Sequence, residues 1–274
     1  MDKEIRTVKY DTELMLEAYH FQGIMQKFPN HFHEYYVIGF IENGQRHLTC
    51  KNLEYTIAPG DLLLFNPRDS HTCEQIDGKT LDYRCINVQP EIMRKAVFEI
   101  TGRNYLPYFT SQVVFHSELV TQLKELHLMI MQEEKDFRKE EILFFLLEQL
   151  IEEYTQQDKL LPKSQQSIET ETICEFLEKN YMKNITLNDL SRLTGLSKYY
   201  LLRSFTKEKG ISPYCYLETI RIDKAKKLLE QGVLPIDVAL LSGFTDQSHF
   251  SNFFKKFIGL TPKQYMNIFK DTTE

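Results

Sequence analysis

No window of the 274-residue chain approaches the ~18 uninterrupted apolar residues that a membrane-spanning helix needs. The first residues, MDKEIRTVKYD, are charged and lack the apolar core of a secretory signal, so the cytoplasm is the expected location and no membrane partner is expected. Cysteine is scarce: five residues, at 50, 73, 85, 174 and 215, with no Cys-x-x-Cys pair. That pattern excludes a sequence-legible zinc site or disulfide framework and points to free thiols in a reducing compartment. No nucleophile elbow, P-loop or dinucleotide fingerprint occurs, and the chain is expected not to be an enzyme. No solenoid repeat is visible.

Net charge is −6, which alone argues against a nucleic-acid partner. Its distribution argues the other way. Residues 1–162 hold 17 Lys/Arg against 26 Asp/Glu, whereas residues 183–270 hold 14 against 7. An acidic first half and a basic second half suggest two domains, the second facing a polyanion.

Residues 17–88 read as strands. The short runs HEYYVIGFI, RHLTC, LEYTI, DLLLF and DYRCINV are separated by turn signals such as Asn43-Gly44, Lys51-Asn52, Pro59-Gly60 and 66–69. Close, regular spacing of that kind indicates a sandwich or barrel. Past Pro90 the period changes to that of helices, over 90–101, 117–134 and 139–156. The second of these carries Leu119, Leu123, Leu126 and Ile130; the third carries Ile142, Phe145, Leu146, Gln149, Leu150 and Ile151. Both stripes are suited either to covering one end of the barrel or to pairing with a second subunit. The polar stretch around 156–167 reads as a linker. The expected domains are 1–157 for effector binding and dimerisation, 158–168 as linker and 169–274 for DNA binding.

The last hundred residues contain two similar units. In 186–210, Thr186 caps a helix bearing Leu187, Leu190 and Leu193, Gly195 turns the chain, and Ser197 caps a second helix burying Leu201 and Phe205. In 235–259, Ile236, Val238, Ala239 and Leu240 begin a helix, Gly243-Phe244 makes the turn, and Thr245 or Asp246 caps a helix burying Phe250 and Phe254, with Phe253 read as core beside them. Helix, glycine turn and capped helix is the helix-turn-helix arrangement, whose second helix reads DNA. One such unit is weak; two in series are much stronger. The helix expected from Pro213 to Gln231 spans roughly 28 Å, enough to hold two readers about one DNA turn apart.

Residues 185–268 resemble the DNA-binding domain of the AraC family of bacterial regulators. LSKYYLLRSF, GISPYCYLETIRIDKAKKLL, IDVALLSGF and DQSHFSNFFKKFIGLTPKQY carry the resemblance in that order. Ser191 stands where the family usually has Ala, and Asn252 where many members have Arg. The resemblance implies base contacts from Tyr199, Leu202 and Arg203 in the first reader. In the second it implies Gln247, Ser248, His249 and Asn252. Arg suits guanine, Asn or Gln suits adenine, and Leu suits a thymine methyl. Lys198, Lys207, Lys255, Lys256 and Lys263 suit phosphates. The fragment 165–274 is expected to bind duplex DNA by itself.

The first half resembles the cupin-type sensor of the same family through HFHEYYVIGFIENG and APGDLLLFNPRDSHTC. The resemblance implies that His31, His33 and His71 follow the cupin histidine plan. The carboxylate of metal-holding cupins is missing, since Glu34 directly follows His33 and adjacent strand residues point to opposite faces. No metal and no cofactor is therefore expected. His33, Tyr35, Asn66, His71 and Arg84 are expected to line a pocket for a small organic effector, with an anionic ligand group or an internal carboxylate facing Arg84. The whole reads as multidomain: an N-terminal all-β cupin-like barrel with appended helices, then a C-terminal all-α double helix-turn-helix domain. The expected function is sequence-specific transcription regulation, as an activator or a repressor, controlled by the effector. Promoter DNA, a second copy of the chain and RNA polymerase are the expected macromolecular partners. A cupin enzyme with a DNA-binding tail, and an architectural protein whose barrel only dimerises, are the alternatives.

Overall fold

The alternating runs build strands that share faces two residues apart. The computed structural model describes residues 4–76, 78–134, 138–155 and 167–270; most of the linker segment lies outside the described residues. Strands β1 (Ile5–Asp11), β2 (Leu16–Ile24), β3 (Phe28–His31), β4 (Tyr36–Asn43) and β5 (Arg46–Cys50) are followed by β6 (Leu53–Ile57), β7 (Leu62–Phe65), β8 (His71–Gln75) and β9 (Leu81–Val88). After helix α1 (Pro90–Thr101) comes the short β10 (Val113–Val114). The strands form a six-stranded sheet, ordered β1-β2-β9-β4-β7-β10, and a four-stranded sheet, ordered β3-β8-β5-β6. Cys50 pairs with Leu53, so Lys51 and Asn52 are a two-residue hairpin loop, and both have positive φ as such a loop requires.

Helices α2 (Leu119–Met131) and α3 (Arg138–Tyr154) follow the expected stripes. Their Leu123, Leu126, Leu146, Leu150 and Ile151 share one core with Leu16, Ala18, Ile38, Phe40, Leu62, Leu64, Ile86 and Val88 of the six-stranded sheet. The stripes thus cover a sheet face rather than a barrel end, and they are not left open for a second subunit. Phe145 departs from the expected stripe: it is 61% exposed. With helices on one face, β4 (to Ile41) and β7 are nonetheless buried at both alternating sets of positions. That is why they read as unbroken apolar runs rather than alternating ones. Gly39 in β4 is required by space, because a Cβ there would lie 2.5 Å from the Tyr83 hydroxyl.

The chain divides into two compact units. The described residues of the first are 4–27, 33–69 and 73–155; those of the second are 28–32, 70–72 and 167–270. The helices of the second unit are α4 (Ile168–Asn180), α5 (Leu187–Thr194), α6 (Lys198–Lys209), α7 (Pro213–Glu230), α8 (Pro235–Leu241), α9 (Gln247–Ile258) and α10 (Pro262–Lys270). Their starts and stops have chemical causes. Thr186 and Asp189 form a reciprocal capping box on α5, and Gly195 ends that helix at φ +72°. Ser197, Ser212 and Asp246 accept bonds from the first turns of α6, α7 and α9. The cap of α9 is therefore Asp246, not Thr245.

The first helix-turn-helix unit buries Leu190, Leu201 and Phe205 with Ile173, Leu177, Ile211, Tyr216 and Ile220. Phe32, far away in sequence, belongs to the same core. The fragment 165–274 lacks that side chain. In α8 only Val238 and Ala239 of the expected apolar set are buried; Ile236 and Leu240 are 55% and 63% exposed. Phe250 and Phe254 are buried as an edge-on pair, 5.5 Å between ring centres, while Phe253 is half-buried and stacks on Phe257.

Candidate DNA-reading face and ligand-binding face

Burial decides which face of each reader is free. In α9 the inward positions are Phe250, Phe254, Phe257 and Ile258, and this leaves Gln247, Ser248, His249, Asn252, Lys255 and Lys256 exposed together. His249 is not loose: its ring sits edge-on to Phe244 and Phe253, 5.6 Å from each. In α6 Leu201 and Phe205 point inward, and Leu202 and Lys207 are exposed. The side chains of Lys198, Tyr199 and Arg203 lie outside the described residues. Lys263, in the first turn of α10, is exposed.

What holds the two helix-turn-helix units to α7 is a contact that sequence reasoning missed. Arg221 donates from Nε to the Tyr181 carbonyl at 2.8 Å and from Nη2 to the Lys183 carbonyl at 3.0 Å. It also pairs with buried Glu218 at 3.0 Å and lies over the Phe244 ring, 5.9 Å from its centre. Glu218 is wholly buried, and burial raises its pKa against the lowering effect of Arg221. A charged pair inside one long helix reads as surface from sequence; only the depth of the site shows that it is structural.

The ligand-side residues divide more sharply. Alternation places Val37 and Ile41 on one face of the six-stranded sheet and Ile38 and Phe40 on the other. Arg84 pairs with Phe40 in register, and its neighbour Ile86 is in the core with α2 and α3. Arg84 therefore lies on the helix-covered face, where its Nε donates to Glu42 at 2.6 Å; Lys124 of α2 completes the cluster. The expectation of Arg84 in the ligand pocket is corrected by this parity. Asn66 has its amide and its oxygen engaged within the protein. Its amide donates to Asp69 and to the Phe109 carbonyl, and its oxygen accepts from the Phe109 amide at 2.7 Å, so it clamps a loop.

The opposite face carries a polar set that sequence reasoning also missed. Asn87 donates to Glu17 at 3.1 Å, the Tyr19 hydroxyl donates to the same oxygen at 3.2 Å, and Cys85 lies 3.8 Å from the Asn87 oxygen. Tyr83 is next to Cys85 and Tyr35, and burial raises its pKa well above the usual value. The signal is present in the alternation of Glu17 with Tyr19 and of Tyr83, Cys85 and Asn87. It is masked because these strands also carry apolar residues on the other face.

The three cupin-patterned histidines come together. One ring nitrogen each from His31, His33 and His71 lie within 4.8 Å of one another. The His31 and His71 rings are 4.5 Å apart, and His33 stacks on Tyr35 at 4.8 Å. His31 holds its Nδ1 2.7 Å from the Pro29 carbonyl, which assigns the proton to that nitrogen and makes Nε2 the unprotonated one. Burial lowers its pKa to about 4, so the imidazole is neutral near pH 7. Glu34 is elsewhere, paired with Arg68 at 3.1 Å. Such a trio is able to accept hydrogen bonds from a hydroxylated ligand or to ligate a divalent transition metal.

These features define a protein of two units, one a β-sheet unit covered by helices and the other carrying two capped helix-turn-helix units. Comparison with known proteins gives the same division. The AraC-like ligand binding domain family matches residues 13–150, and a helix-turn-helix domain family matches residues 190–268. The chain is 63% identical over 249 residues to the HTH-type transcriptional regulator YbfI of Bacillus subtilis (strain 168), covering 91% of this chain and 90% of that one. It is 25% identical over 276 residues to the HTH-type transcriptional regulator SAR0107 of Staphylococcus aureus (strain MRSA252), but spans only 33% of that protein's length. Among solved structures, ToxT from Vibrio cholerae O395 shares the fold with a TM-score of 0.55 at 17% identity, over 93% of this chain and 98% of that one. The chain belongs to the AraC family of transcription regulators, with an N-terminal ligand-binding domain and a helix-turn-helix DNA-binding domain. Among the described residues no helix is long and apolar enough to cross a membrane.

Proposed function

We propose that the protein is a cytoplasmic, sequence-specific regulator whose hold on promoter DNA is set by a small hydroxylated molecule bound in its N-terminal domain, with no catalytic step. The observation that carries the effector reading is the inner-face polar set. Glu17, Tyr19, Tyr83 and Asn87 offer donors and acceptors on one face of the sheet, with Tyr35 near Tyr83. Arg84, the expected anchor for an anionic group, is on the other face of the sheet, so a polyol or similar neutral ligand suits the face better than an acid. A small organic molecule is also the kind of ligand held by the ToxT of Vibrio cholerae strain SCE256, which has been solved bound to unsaturated fatty acid. On the DNA side, Leu202, Gln247, Ser248, His249 and Asn252, with Tyr199 and Arg203, are proposed to read bases, and Lys198 and Lys256 to hold phosphates. The domain limits 1–157, 158–168 and 169–274, a homodimeric state and contact with RNA polymerase complete the proposal.

The test is a thermal-shift screen of hydroxylated metabolites on the intact chain, followed by operator titration with each hit. A hit that raises the melting temperature and changes operator affinity supports the reading. Hits that stabilise the protein without any change in operator affinity refute effector control. A second reading, in which a divalent metal is the effector, is favoured by the histidine trio alone. Elemental analysis separates the two: one equivalent of zinc, iron or manganese, lost together with the transcriptional response on chelation, supports the metal.

A further inference from the structure

The second unit contains a junction at which both helix-turn-helix units meet one side chain of α7. Arg221 lies in the middle of α7 and is 9% exposed. Its Nε and Nη2 donate to the carbonyls of Tyr181 and Lys183, at 2.8 and 3.0 Å, in the corner between α4 and α5. α4 ends at Tyr181, and carbonyls at a helix end lack intrahelical partners and favour a cation. The same guanidinium lies over the Phe244 ring, in the turn between α8 and α9. Phe244 is 3% exposed, and its ring centre is 5.2 Å from that of Phe250, an inward residue of the reader α9. The two corners also touch each other. A Cβ at Gly243, whose φ is +85°, would lie 2.6 Å from the Tyr181 carbonyl oxygen, 2.8 Å from the Met182 Cα and 3.1 Å from Arg221 Nε.

We propose that Arg221 is a positioning residue for DNA recognition: with Gly243 against Tyr181 it locks the two helix-turn-helix units at one separation and one rotation, and so sets the half-site spacing that the protein accepts. The inference rests on the reading that α6 and α9 each enter a major groove. Two readers on one face of the duplex stand about one DNA turn apart, and one inserted base pair turns the second half-site by about a tenth of a turn. Apolar packing on α7 is non-directional, whereas the bonds of Arg221 hold only over a narrow range of angle. A rigid pair of readers gains the second half-site as an intramolecular event at the matched spacing and loses it elsewhere; a loose pair gains less and loses less. Lysine could not replace the arginine, because an ammonium lacks the fixed fork of donors. Glu218 is wholly buried, accepts from Nη1 at 3.0 Å and leaves its Oε2 without a hydrogen-bond partner among the described residues. A buried pair of that kind contributes little to stability, and its role here is to aim the guanidinium at both corners.

The experiment is operator titration with the intact protein over a set of duplexes. The set holds an operator selected from a random library, the same operator with one base pair inserted between the two half-sites of one chain, and duplexes with either half-site scrambled. Wild type is expected to lose at least about tenfold in affinity on the insertion. Arg221→Lys should bind the matched operator at least about tenfold more weakly, lose less than about threefold on the insertion, and bind the scrambled duplexes as tightly as wild type does. If Arg221→Lys does not fold, Glu218→Gln with Arg221→Met is read in the same way, since it removes both charges and leaves neither buried alone. An undiminished loss on the insertion, or a loss of the same size on every duplex, is what a merely structural role would give, and either would overturn the proposal. A wild type indifferent to the insertion would overturn it together with the reading of α6 and α9; the first two outcomes leave that reading intact.

Discussion

His127 shows how far one side chain is set by its surroundings. It is fully buried on α2, its Nε2 is 2.9 Å from the Tyr19 carbonyl, and its Nδ1 has no partner among the described residues. Burial lowers its pKa from 6.5 to about 4. The folded form therefore binds fewer protons than the unfolded chain between those values. Stability contributed by the neutral ring is complete above pH 6.5 and is lost as pH falls towards 4. His127→Gln should flatten that part of the stability–pH curve, by at most about a few kcal/mol in all. Denaturant melts on either side of the window, near neutrality and near the folded-state pKa, check it; an unchanged pH slope in the variant refutes the assignment. On the reader α9, Asn252→Ala should cost about 1–3 kcal/mol on the best site and relax preference at one or two base pairs. Lys256→Ala should weaken all sites alike. Identical profiles of the two variants across a randomised site library would contradict that division. Side-chain direction is also the hardest property to read from sequence. Residue type alone sends Arg84 to the ligand, but its direction depends on register, which one strand by itself does not reveal.

Elements are the most legible level. Strand runs, turn glycines and the helical stripes translate directly into β4 to β7 and β9, and into α1 to α3 and α5 to α9, because period and capping are local properties. The partner of each face is not legible in this way. The stripe of α2 suits a sheet and a second chain equally, and only the shared core with Leu16, Ile38 and Ile86 decides it. Leu123→Asp is accordingly expected to unfold the N-terminal domain, since it places a charge in a core without a partner. Circular dichroism of the purified variant checks this; a folded monomer would contradict it. Phe145 on α3 and Leu128 on α2, 61% and 44% exposed, are the better positions for testing a dimer. Phe145→Asp should yield folded monomer by sedimentation if these helices pair between chains, and unaltered dimer if they do not. At the caps, Asp246→Ala should cost about 1 kcal/mol, because it frees the His249 amide, whose bond Asp246 accepts at 2.7 Å. Unchanged melting would show that α9 does not depend on its cap.

For the whole molecule, charge and fold point to one division of labour. The acidic first half holds the β-sheet ligand-binding domain, and the basic remainder holds the two helix-turn-helix units, a separation already legible in how charge is distributed along the chain. The contribution of residues 28–32 to the helical unit is not legible there, because a core completed from so far back in the chain has no sequence period. If the lysines proposed for phosphates make those contacts, operator affinity falls steeply with salt, and a flat salt response would contradict the proposal. The central claim, that a ligand on the inner sheet face governs that affinity, is tested most directly by one titration. Intact wild-type protein and the inner-face variant Tyr19→Phe with Asn87→Leu are titrated with a selected operator, with and without the strongest hit from the metabolite screen. The account predicts a change in operator affinity of at least about tenfold in the wild type, on the scale of ordinary allosteric coupling. It predicts no change in the variant, whose affinity without ligand stays close to wild type. An equal ligand response in both proteins would contradict it.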